Sequence, residues 1–116
     1  MSEAAILQRI RLDLGRIPEA RLFRNNVGSL IGPDGRRVDF GLARGSGDLV
    51  GWRTVLITPA MVGHSMAVFS SVEVKTDTGR PTEHQLNWAA TVVQAGGLAG
   101  IARNPGQARA ILGLPE

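Results

Sequence analysis

The sequence predicts a mixed α/β fold in which a β-sheet is flanked by helices, and three observations carry that expectation. An amphipathic run opens the chain ahead of a strand, the turn Gly32-Pro33-Asp34-Gly35 and a second strand. The strand-like run Phe69-Ser70-Ser71-Val72-Glu73-Val74-Lys75-Thr76 leads into a helix start at Thr82-Glu83-His84-Gln85. Finally, Gly96-Gly97 separates that helix from the apolar run Leu98 to Ala102, and Asn104-Pro105 opens another helix. Strands interleaved with helices on one core are the pattern of a layered α/β protein.

Taken in order, residues 2–14 carry Ile6, Leu7, Ile10 and Leu14 at helical spacing, with Ser2 as N-cap and Gly15 and Pro18 as the stop. Leu22 to Ile31 reads as a strand, and Val38 to Leu42 as its hairpin partner across the Gly32–Gly35 turn. A glycine-rich bend, Gly41 to Gly47, delivers Asp48 to the head of the strand Leu49-Val50-Gly51-Trp52. Val55 to Ile57 and Met66 to Lys75 read as further strand, with the breaker-rich stretch from Thr58 to Ser65 between them. Thr82 with Gln85 three residues later is a capping box, and Leu86, Ala89, Ala90 and Val93 continue as a buried stripe. Leu98 to Ala102 is the last strand, and the helix opened by Pro105 closes at Gly113.

With 116 residues, the chain is expected to fold as one domain over 1–116. It is 43% hydrophobic and 20% charged, a composition that buries a core and argues against disorder. The net charge of +3 permits a polyanionic partner without requiring one. No cysteine is present, so disulfides and thiolate metal sites are excluded. The N-terminal run lacks a signal-peptide core and no apolar run reaches the length of a membrane span, so the expected location is the cytoplasm, a host's cytoplasm if the chain is phage-encoded.

Twelve of the thirteen cationic residues are arginine, and Lys75 is the exception. A compact ammonium does chemistry that a guanidinium does poorly. Alternation along a strand puts Ser71, Glu73 and Lys75 on one face and Val72 and Val74 on the other. Asp48, Glu73 and Lys75 together supply what phosphodiester hydrolysis needs: oxygen ligands for Mg²⁺ or Mn²⁺, and a cation to offset charge in the transition state. If the strand after Gly47 pairs with the Glu73 strand, the two carboxylates meet at adjoining strand ends, with the Val74 carbonyl as a further hard ligand. The same spacing of Glu73 and Lys75 also forms an exposed ion pair on a strand face. From the residues alone both readings stand.

Other chemistries lack their residues. His64 and His84 have no partner at metal-ligand spacing, the Gly41–Gly47 bend lacks the lysine and hydroxyl of a phosphate-binding loop, and no serine has a nucleophile-elbow context. Trp52 and Trp88 read as core or interface. Arg24, Asn25 and Asn26 interrupt an apolar strand with donors suited either to phosphate oxygens or to a polar network. Arg36, Arg37, Arg44, Arg53 and Arg80 fall mainly in turns, where they suit either a DNA backbone or plain solvation.

Gly45-Ser46-Gly47-Asp48, then Val72-Glu73-Val74-Lys75-Thr76, then Gly79-Arg80 and Gln85, resemble the VRR-NUC domain, the virus-type replication and repair branch of the PD-(D/E)xK nuclease superfamily. Arg24 to Gly28, Phe40-Gly41-Leu42 and the stretch from Gly96-Gly97 to Arg103 resemble further segments of that family, so the likeness runs along nearly the whole chain. Gly47 departs from the pattern, standing where a proline often precedes the aspartate.

The resemblance implies a PD-(D/E)xK, restriction-endonuclease-like core and a metal-dependent endonuclease acting on DNA. Asp48 and Glu73 would be metal ligands, with Lys75 orienting the attacking water or stabilising the scissile phosphate. Gln85 would reach the same site from its helix start, Glu3 would add a ligand from the first helix, and Arg24, Asn25, Asn26, Arg44 and Arg80 would contact DNA. Small symmetric relatives resembling Holliday-junction resolvases imply a homodimer cutting branched DNA such as four-way junctions, with no nucleotide cofactor. A restriction-like or single-strand-directed nuclease, or a DNA-binding module without turnover, are the alternatives.

Overall fold

Ser2 caps the first helix by accepting a hydrogen bond from the Ala5 N–H at 3.1 Å, and the helix α1 runs from Glu3 to Leu14. This computed structural model describes residues 2–115. Its contacts gather into two compact units, Met1–Val55 and Leu56–Glu116. The architecture is mixed α/β, with three helices and three two-stranded sheets.

In the first unit α1 packs on β1 (Ala20–Arg24), which pairs antiparallel with β4 (Leu49–Arg53). Leu22 lies opposite Gly51 and Phe23 opposite Val50, and the rings of Phe23 and Trp52 stand 5.5 Å apart. A Cβ on Gly51 would sit 1.8 Å from the Arg21 carbonyl oxygen, so this close strand crossing requires glycine. Of the expected α1 stripe, Leu7 and Leu14 are half-buried while Ile6 and Ile10 are exposed.

The expected single strand Leu22 to Ile31 is in fact two. β1 ends at Arg24, and β2 (Gly28–Ile31) belongs to a separate hairpin with β3 (Arg37–Phe40). Asn25 causes the break: it is 8% exposed, and its side chain turns away from any ladder to bind the bend at Leu42, Ser46 and Gly47. The hairpin turn forms as expected, with the Gly35 N–H donating to the Gly32 carbonyl at 2.9 Å and a φ of 80° at Gly35. β3 stops at Phe40 rather than Leu42 because the Leu42 N–H is held by Asn25 Oδ1 at 3.0 Å.

The second unit is built on β5 (Ser70–Val74) and β6 (Leu98–Ala102), a parallel pair joined by α2 (Glu83–Gln94). α2 packs against both strands, and α3 (Pro105–Ile111) packs against β6. Its core holds the buried Val92 and Ala102. Val55 to Ile57 form no strand, and Met66 to Phe69 lie ahead of β5 rather than within it; a short 3-10 turn, Pro59–Met61, occupies part of the breaker-rich stretch.

The buried stripe of α2 is also turned from the expected one. Leu86 and Val93 are exposed, as is Ala90, while Gln85, Trp88 and Val92 face inward beside Ala89. Two side-chain bonds set this rotation: Gln85 is tied to Glu73, and the Trp88 indole N–H donates to Ser71 Oγ at 2.8 Å. A bulky indole needing a partner for its N–H takes the interior in preference to Leu86. Among the described residues, no helix is long and apolar enough to cross a membrane.

The expected pairing of the Asp48 strand with the Glu73 strand does not form. β4 takes β1 as its hydrogen-bonded neighbour, and β5 takes β6.

Candidate active site

β5 brings Ser71 and Glu73 to the face covered by α2, as strand alternation requires. Lys75 lies just past the strand, its N–H extending the ladder to the Ala102 carbonyl at 3.0 Å. Its ammonium stands 3.8 Å from Glu73 Oε1, with the lysine side chain 21% exposed and the glutamate 40% exposed.

At the head of α2, Gln85 carries both of the jobs the sequence offers it. Its backbone N–H donates to Thr82 Oγ1 at 3.2 Å and its side-chain oxygen accepts from the Thr82 N–H at 2.9 Å, which completes the capping box. The other end of the same amide, Nε2, donates to Glu73 Oε1 at 2.8 Å. Capping and site building are therefore one arrangement: fixing the first turn of α2 aims the amide at the carboxylate.

Glu73 and Gln85, but not Lys75, line a cavity of about 230 Å³, together with Ser71, His84, Trp88, Ala89 and Gly100. The sequence offers His84 as a candidate only to lose it for want of a partner at metal-ligand spacing. The available signal was its place beside Gln85 in the first turn of a helix whose inner face carries Trp88. A larger hollow of about 640 Å³ runs along α1 past Ile6, Arg9, Ile10 and Asp13, and none of the predicted site residues lines it.

The turn after Lys75 is held from β6. The Arg103 guanidinium donates to the Thr76 carbonyl and, at 2.7 Å, to the Gly79 carbonyl, clamping the segment between Lys75 and Arg80. Two carbonyls on one planar cation fix that turn better than a single contact would.

In the first unit, Asp48 is exposed at the head of β4, and its carbonyl accepts from the Asn25 N–H at 2.8 Å. Asn25 Nδ2 donates to Ser46 Oγ at 2.8 Å and to the Gly47 carbonyl at 2.9 Å, so its amide shapes the bend that presents Asp48. This corrects the DNA-contact reading of Asn25, whose donors are consumed within the fold. Arg24 and Asn26 are exposed, joined by an Arg24 Nε to Asn26 Oδ1 bond of 2.9 Å. Arg44 and Arg80 are exposed on their loops. Glu3 is exposed in the first turn of α1, and Val74 is 75% exposed at the end of β5. Within each unit, among the described residues, no three His, Asp or Glu side chains gather to hold a metal ion.

Chemically, the second unit offers one carboxylate whose Oε1 is engaged by an amide and faced by an ammonium. A single carboxylate beside an ammonium offers fewer oxygens than Mg²⁺ or Mn²⁺ takes, so an ion held there would have to draw the rest from water or a substrate phosphate. Comparison with protein-family models, with curated proteins and with solved structures gave no match.

Proposed function

We propose that this chain is a metal-dependent DNA endonuclease of the PD-(D/E)xK type, in its VRR-NUC branch, hydrolysing phosphodiester bonds in branched DNA such as four-way junctions. The observation that carries this reading is the Glu73–Lys75–Gln85 group, in which one carboxylate meets an amide at 2.8 Å and an ammonium at 3.8 Å beside a cavity.

Water attacks phosphorus, the bond to the leaving 3′ oxygen breaks, and the products are a 5′-phosphate and a 3′-hydroxyl. Negative charge builds on the phosphoryl oxygens as this happens. Lys75 stabilises that charge or orients the water, and it is suited to either task because its ammonium is half-sheltered and compact. Gln85 holds the Glu73 carboxylate in one orientation, so no reorganisation is needed during reaction. Mg²⁺ or Mn²⁺, when bound, supplies Lewis acidity and a water of lowered pKa. Glu73 would hold the ion in the second unit, and substitution of Asp48 and Glu3 tests the ligand roles that the resemblance gives them.

The arginines Arg24, Arg44 and Arg80 are exposed and fit the phosphate backbone of DNA. A binding module without turnover is the second reading, favoured by the single carboxylate of the Glu73 group. Cleavage of a labelled four-way junction and its matching linear duplex, in Mg²⁺, Mn²⁺ or EDTA, separates the two. Metal-dependent junction cutting lost in the Lys75→Ala variant supports the nuclease; DNA binding with no cutting in any metal supports the module.

A further inference from the structure

The cavity beside Glu73 is chemically unlike a phosphate site. Lys75 does not line it, and its walls hold one carboxylate and no arginine or lysine. An anion entering it would meet Glu73 without a guanidinium or ammonium to offset the repulsion. A neutral group fits better, and the remaining walls specify its chemistry.

Two of the lining residues, His84 and Trp88, are aromatic and stand one turn apart on the same face of α2. The indole of Trp88 has a single polar atom, and that N–H is engaged by Ser71 Oγ at 2.8 Å, while Phe69 meets the ring edge-on at 6.3 Å. What Trp88 offers the cavity is therefore aromatic carbon, held in place from two sides. Small residues keep the space open: Ala89 from α2, and Gly100 from β6, where a Cβ would come within 2.9 Å of Ile111 Cδ1.

Polar groups complete the lining. Ser71 Oγ accepts from Trp88, and Gln85 Nε2 gives one proton to Glu73, so the Ser71 hydroxyl proton and the second Nε2 proton have no acceptor among the described residues. Hydrogen-bond donors beside aromatic rings match a nucleobase, whose ring nitrogens and carbonyl oxygens accept and whose faces stack. At about 230 Å³ the cavity is smaller than pockets for drug-sized ligands, which begin near about 300 Å³, so it suits one ring system.

We propose that this cavity is a subsite for one unpaired nucleobase of the DNA strand held at Glu73, stacked against Trp88 and His84 and contacted by Ser71 and Gln85. It rests on the nuclease reading for the placing of that strand, and it narrows the substrate. A base within a duplex is stacked and paired, and drawing it out costs least where it is already unpaired. The favoured DNA is a branch, flap or bulge with an unpaired nucleotide beside the cut. Because both donors address acceptors that every base carries, the subsite selects DNA structure and not sequence.

Trp52→Phe leaves Trp88 as the one tryptophan of the full chain, so its fluorescence reports on the cavity wall. The probes are deoxyadenosine monophosphate and, as a control lacking the base, deoxyribose phosphate, both titrated in EDTA. Saturable quenching by the nucleotide at about millimolar concentration, absent with deoxyribose phosphate, is expected. His84→Ala, at an exposed position of α2, should weaken binding by roughly 10-fold. Ala89→Leu, which fills the cavity, should weaken it further; if that variant fails to fold, His84→Ala decides. Equal quenching by deoxyribose phosphate, no saturable quenching, or unchanged affinity in folded His84→Ala would overturn the inference. The readout is binding without metal, so quenching without DNA cleavage removes the nuclease and keeps the subsite, and cleavage without quenching does the reverse.

Discussion

Gln85 and Glu73 are joined by a 2.8 Å bond from Nε2 to Oε1, while the same glutamine caps its own helix through its side-chain oxygen. One planar amide thus links the start of α2 to the carboxylate of β5. Since the two ends of the amide serve different partners, substitutions can separate them.

Thr82→Ala removes the cap and should lower stability by about 1 kcal/mol. Gln85→Ala loses the cap and the bond to Glu73, and should lower it by about 1–3 kcal/mol, moderated by the partial exposure of Glu73. Gln85→Glu keeps a capping oxygen but sets a carboxylate against Glu73, so its cleavage should fall further than its stability. Thermal midpoints measured beside cleavage rates check this ordering; equal losses in all three variants would mean that Gln85 is a cap alone.

Lys75→Ala and Glu73→Gln should each reduce DNA cleavage by about 100-fold or more, the scale of losing an electrostatic stabiliser. Lys75→Arg should not restore the rate, because the guanidinium is larger and planar. The partly exposed 3.8 Å pair contributes under about 1 kcal/mol to folding, so the variants should unfold near the wild-type temperature. Gel assays of a labelled junction, paired with circular dichroism melts, make the check.

For Arg44 and Arg80, replacement by glutamine should weaken DNA binding about equally on all sequences. Each substitution should lower the slope of log affinity against log salt by about 1. Fluorescence anisotropy across a salt series reads that slope, and an unchanged slope would remove the residue from the DNA-contact set.

Asn25→Ala leaves the Leu42 N–H, the Ser46 hydroxyl and the Gly47 carbonyl without the partner they share. The expected loss is about 2–3 kcal/mol, seen as a lower midpoint in urea unfolding. Asn25→Asp keeps the acceptor for Leu42 but sets a buried carboxylate against the Gly47 carbonyl, and should lose at least as much as Asn25→Ala.

At the strand crossing, Gly51→Ala would bring a methyl within 1.8 Å of the Arg21 carbonyl oxygen, which is backbone and has little room to yield. The β1–β4 pair must open to accept it, at about 1–3 kcal/mol or more. Faster hydrogen exchange confined to β1 and β4 would be the direct sign.

Much of the local structure was legible because its causes are local. Ser2 before an apolar-periodic run, Thr82 with Gln85, Asn104-Pro105 and the Gly32–Gly35 turn each carry their signal within a few residues, and all four form as expected. The face shared by Ser71 and Glu73 was likewise fixed by strand alternation. Where partners far along the chain decide, the reading failed. Asn25 looked like part of a strand until the bend at residues 42–47 claimed its amide. The inner face of α2 was set by Ser71 and Glu73 rather than by Leu86 and Val93. His84 became a cavity residue only when α2 docked on β5.

By itself, then, the sequence determined the helices, the turns and the placing of Glu73, Lys75 and Gln85 near a strand end and a helix start, because periodicity and capping act over one or two turns of chain. Only the tertiary structure decided which strand pairs with which. β4 joined β1 and β5 joined β6, leaving the β2–β3 ribbon to itself. A strand's unpaired N–H and C=O groups specify that it needs a neighbour, and packing across the fold chooses the neighbour.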